Sequence, residues 1–143
     1  MKSTFTRYHD RKILRKKVDY MKRYKELEEL LSVAEELDWR YEIYTEDNGR
    51  SYVELEKHSP AGEDFFMPID FESNNPVDTF LKNLEEYERS FDVDDHVEIW
   101  IDSRGQNGVP NSISELVEDA KEIKNMIYEL WDRLSDEVCL PFC

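Results

Sequence analysis

The sequence predicts an α+β domain in the order α-β-β-β-α-β-α, with a four-stranded, mostly antiparallel sheet whose helices pack on one face. Three observations predict it. Long segments carry apolar residues at steps of three or four, the helical period; shorter segments alternate apolar and polar, the strand period; turn signals such as Asp47-Asn48-Gly49 separate them. The chain of 143 residues, 13% of them aromatic, is large enough to bury a core and reads as a single domain. Its parts are a basic-to-acidic N-terminal helix (1–37) and an acidic α+β body (38–143).

The first predicted element is a long helix without Gly or Pro from Asp10 to Leu37, striped by Leu14, Val18, Met21, Tyr24, Leu27, Leu31, Ala34 and Leu37. The segment WRYEIYTEDNGRSYVELEK (39–57) holds two alternating runs around Asn48-Gly49, which supplies the positive φ a tight hairpin needs. FFMPIDF (65–71) is a third strand, and Pro68 makes it short, bulged or an edge. In the helix predicted over 74–91, Asn75 is the N-cap and Pro76 the first helical residue. HVEIWID (96–102) alternates Val97, Ile99 and Ile101 against Glu98, Trp100 and Asp102, so it is predicted as the fourth strand. The loop SRGQNGVP (103–110) reads as a flexible connection. Ser112 and Glu115 form a capping box that opens the last helix.

Charge is unevenly placed. Residues 1–25 hold ten Lys or Arg and two Asp, a surplus of +8; the rest of the chain stands at −23, and the total is −15. Lys12, Lys16 and Arg23 project nearly opposite Leu14, Val18 and Met21 on the first helix, forming a basic face. A basic start with an acidic end opposes the helix macrodipole, so something besides helix stability favours it. If helices cover one side of the sheet, the other side displays Glu42, Glu54, Glu56, Glu98 and Asp102 with Tyr44, Tyr52 and Trp100. Carboxylates at i and i+2 on a strand stand roughly 6.5–7 Å apart, near the phosphate spacing of about 6–7 Å along a nucleic-acid strand. Such a face either imitates nucleic-acid charge or captures a basic partner; Tyr and Trp are typical anchors at such contacts. The bland reading of the same residues is a solvated acidic face.

No motif names a reaction. Carboxylate pairs are too common in so acidic a chain to point to acid–base work. His96 beside Asp92, Asp94 and Asp95 reads as a capped turn with a surface histidine, and the segment lacks the glycine and terminal Glu of a calcium loop. Cys139 and Cys143 in the tail CLPFC read as free thiols, and two thiols cannot close a zinc site. The expectation is a protein that is not an enzyme and has no metal and no cofactor. The longest apolar runs are too short to span a membrane, and no apolar stretch follows the basic start as in a secretory signal, so a cytoplasmic protein is expected.

With YVELEKHSPAGED before FFMPIDF, and VEIWIDSRGQNGVPNSISELVEDA after it, residues 39–134 resemble small acidic proteins of phages and mobile elements of Gram-positive bacteria. That setting includes anti-CRISPR and antirestriction inhibitors, several of them nucleic-acid mimics. The resemblance implies a non-enzymatic inhibitor, in the host cytoplasm, of a basic nucleic-acid-binding protein such as a CRISPR nuclease. In that reading Lys12, Lys16 and Arg23 make a second contact, with guide RNA, DNA or an acidic part of the nuclease; the alternative is a nucleic-acid-binding accessory protein of a mobile element using the basic N-terminal helix. An oligomeric structural protein is a third reading.

Overall fold

The computed structural model describes residues 24–102 and 112–139. Lys12, Lys16 and Arg23, the loop 103–110 and Cys143 lie outside them, as does the first part of the predicted long helix.

Helix α1 is described over 24–35 and buries Leu27, Leu30, Leu31 and Ala34, a stripe at helical spacing. It closes with paired terminal bonds: Trp39 N donates to Ala34 O (3.1 Å) and Asp38 N to Glu35 O (3.0 Å). This Schellman arrangement needs a left-handed residue between them, and Asp38 takes it at φ 68°. The chain thereby delivers Trp39 into the core at 1% exposure, directly before the first strand.

Strands β1 (Arg40–Thr45), β2 (Ser51–His58) and β3 (Asp64–Phe71) form one antiparallel sheet in the order β1-β2-β3. The two hairpin loops share one design. In the first, Gly49 N donates to Glu46 O and Glu46 N to Arg50 O; in the second, Gly62 N donates to Ser59 O and Ser59 N to Glu63 O. The glycine in each stands at φ near 90°, where a Cβ would strain the backbone. In the first turn Gly49 supplies the expected positive φ, and the Asn48 side chain accepts from Arg50 N. Pro68, which has no N–H for a ladder, sits on the edge strand β3, as Pro requires.

The covered face of the sheet runs in rows: Tyr41–Leu55–Met67 and Ile43–Val53–Ile69. These pack in one core with Leu27, Leu31, Phe80, Leu84, Ile127 and Leu130. The last four come from helices α2 (Pro76–Ser90) and α4 (Ile113–Cys139). Asn75 is the N-cap of α2 without a side-chain cap bond, and Pro76 opens the helix. Ser112 Oγ accepts from Glu115 N at 3.2 Å, as the capping box predicts.

One element is corrected. Residues expected as a fourth strand form helix α3 (Val93–Asp102), so among the described residues the sheet has three strands. The strand expectation rested on the alternation Val97, Ile99, Ile101. The structure buries a different set: Val97 packs with Leu116 and Ala120 of α4, flanked by Val93, Trp100 and Val117. Positions 93, 97 and 100 are helically spaced, whereas Ile99 and Ile101 are exposed. The helix start is built by Asp92, whose Oδ1 accepts from the N–H groups of Asp94 (2.8 Å) and Asp95 (3.1 Å). Asp94 and Asp95 also suit the positive end of the helix dipole.

Candidate functional site

The sheet has one covered face and one open face, and the open face is the candidate site. Its register places residues in three rows: Arg40–Glu56–Phe66, Glu42–Glu54–Pro68 and Tyr44–Tyr52–Asp70. Five of the eight predicted acidic-face residues therefore come together: Glu42, Tyr44, Tyr52, Glu54 and Glu56. The other three do not. Glu98, Trp100 and Asp102 belong to α3; Trp100 packs in the small α3–α4 cluster and Glu98 is exposed on the helix. An alternating stretch that folds as a helix leaves the sheet and carries its side chains with it.

The open face is a patterned array rather than a sheet of uncompensated carboxylates. Arg40 ion-pairs with Glu56 across β1 and β2. Arg50 binds Asp70 through Nε (3.0 Å) and Nη2 (2.8 Å), and its guanidinium carbon lies 4.3 Å from the centre of the Tyr52 ring. Its hydrogen bond to Asp70 is the first cause holding Arg50 above the ordinary arginine pKa. The Tyr44 and Tyr52 rings stack at 5.2 Å with 24° between planes.

Between these two arginine-anchored ends lies the middle row, where Glu42 and Glu54 are direct cross-strand partners. Like charges directly opposite each other destabilise a sheet. Tyr44 Oη donates to Glu42 Oε2, and this bond, ahead of desolvation, pushes the phenol pKa up to about 12. Neither Glu42 nor Glu54 has a cation within ion-pair distance among the described residues.

No protein-family model, curated protein or solved structure matches this chain. The site therefore has to be read from its own chemistry. Among the described residues no three His, Cys, Asp or Glu side chains are placed to hold a metal ion, and no helix is long and apolar enough to cross a membrane.

Arg40, Arg50, Asp70 and Phe66 were not singled out by sequence reasoning. Alternation alone places Arg40 on the open face, but Arg50 reaches Asp70 only because β3 pairs with β2 in this register. His96 differs from its expected role as well. It is largely buried and bonded to Glu63 of the second hairpin loop rather than standing on the surface.

Proposed function

We propose that this protein is a non-enzymatic inhibitor of a nucleic-acid-acting host defence protein, of the anti-CRISPR or antirestriction type. In this reading the open sheet face enters a basic nucleic-acid channel of the target. Glu42 and Glu54 meet its cations, and the stacked Tyr44 and Tyr52 supply the apolar anchor.

The observation that carries this reading is the Glu42–Glu54 pair beside the Tyr44–Tyr52 stack. A like-charge pair on an exposed sheet costs stability in the isolated protein. A basic partner relieves that repulsion on binding, so the cost becomes affinity. The resemblance to small acidic phage and mobile-element proteins supports the choice of a defence nuclease as the target.

The test is inhibition of a panel of CRISPR and restriction nucleases by the full chain and by the double reversal Glu42→Lys with Glu54→Lys. Circular dichroism checks that the variant is folded. Loss of about tenfold or more in potency is expected, with little change for Glu98→Lys on α3. Equal potency of the double reversal, or no inhibition across the panel, removes the reading. Direct, salt-sensitive binding of DNA or RNA, lost in Lys12→Glu with Lys16→Glu, would instead select the accessory-protein alternative.

A further inference from the structure

Where β3 begins, the open sheet face runs into a groove of about 480 Å³ that is bounded on its far side by α2 and α3. That volume lies within the range that takes a side chain or small ligand. Phe91 and His96 lie within it, their rings 5.4 Å apart. Phe66 and Ile99 line it from different elements and are 50% and 67% exposed. Two large apolar side chains so exposed, facing one concavity, make the kind of patch that marks a contact surface.

Carboxylates dominate the charged lining of the groove, while Lys124 Nζ, bonded to the Glu88 and Phe91 carbonyls, flanks it. Asp64, Asp92 and Asp95 line it, and among the described residues no Lys or Arg does. The imidazole of His96 is already engaged by Glu63. His58 Nδ1 pairs with Asp64 Oδ1 at 2.5 Å. Asp92 spends one oxygen on the α3 N-terminus, and Asp95 has no ion-pair partner among the described residues.

We infer that this groove is a docking site for a basic amphipathic segment of a partner protein, an apolar side chain seated between Phe66 and Ile99 and flanking Lys or Arg residues meeting Asp64, Asp92 and Asp95. Charge complementarity selects that occupant: an acidic or neutral apolar segment would fill the groove but leave Asp92 and Asp95 without counter-charge. The inference goes beyond the sheet-face reading, because apart from Phe66 the groove is built by other residues. Phe66 belongs to both surfaces, so one partner can span them.

The experiment uses the isotope-labelled full chain and three short synthetic peptides. One carries Leu at steps of three or four with Lys at the remaining positions, so that it is amphipathic as a helix, one replaces Lys by Glu, and one replaces Leu by Ser. The Lys/Leu peptide is expected to shift the Ile99 methyl and Phe66 ring signals most, with affinity falling as salt rises. Ile99→Glu and Phe66→Ser, exposed positions on different elements, should each weaken binding about tenfold, and Asp95→Asn should flatten the salt dependence. Shifts centred elsewhere, equal binding of the Lys/Ser or Glu/Leu peptide, or unchanged affinity in both variants overturns the inference. Glu42→Lys with Glu54→Lys should leave this peptide binding in place, so the two proposals stand or fall separately.

Discussion

Nε2 of His96 on α3 donates to Oε1 of Glu63 in the β2–β3 loop at 3.0 Å, and the second oxygen of that buried carboxylate has no partner among the described residues. This contact ties α3 to the hairpin loop beside it, and the His96 ring also stands edge-on to Phe65 of β3 with centroids 6.1 Å apart. An acid this buried depends on its one donor.

Removing that donor should therefore cost more than removing the charge. His96→Leu is expected to destabilise by about 3 kcal/mol, because it leaves both Glu63 oxygens unpaired. Adding Glu63→Gln to His96→Leu should recover part of that loss, since a neutral amide is cheaper to bury. Urea midpoints at constant m-value check both. Equal stabilities of the single and double variants would show that the carboxylate charge is not the source.

Asp119 of α4 fastens the same loop from the other side. Its Oδ2 accepts from Ser59 Oγ at 2.6 Å and its Oδ1 from Ala61 N at 3.0 Å. Ser59 Oγ in turn accepts from Glu63 N at 3.0 Å. Asp119→Ala should cost about 2–4 kcal/mol, from two hydrogen bonds to a charged group lost in a buried setting. Asp119→Asn, which keeps an acceptor, should cost less. Hydrogen exchange at the Ala61 amide should accelerate in the alanine variant more than at Leu55 in the middle of β2.

The Tyr44 phenol offers a pH test on the candidate site itself. Its pKa is raised above the ordinary 10.0 to about 12 by donation to Glu42. A raised pKa means that the bond's contribution is complete below pH 10 and is lost as pH climbs through about 12. Site-resolved NMR titration should find Tyr44 ionising late. Glu42→Gln should bring its pKa down toward the ordinary value, because the amide is a weaker acceptor and carries no charge. An unchanged Tyr44 titration in that variant would remove the hydrogen bond as the cause.

Much of the site is legible in the sequence. Alternation in RYEIYT and SYVELEKH sorted Glu42, Tyr44, Tyr52, Glu54 and Glu56 onto one face, since successive strand side chains point opposite ways and only one face of the sheet is covered. The failure at HVEIWID has an equally physical cause. A short apolar run fits two periods, and the contacts offered by Leu116 and Ala120 decide between them. Asp92 followed by Asp94 and Asp95 was the local sign of a helix start.

By itself, then, the amino-acid order determined the hairpins, the glycine turns, the faces of β1, β2 and β3, and the helices that open at Pro76 and Ser112. These depend on backbone preference and on patterns read over neighbouring residues. Tertiary structure alone decided that α3 is a helix, that Arg50 meets Asp70, that Glu63 finds His96, and that Asp119 holds Ser59. Each of those joins groups distant in the chain, and their energies exist only once the core has brought the elements together.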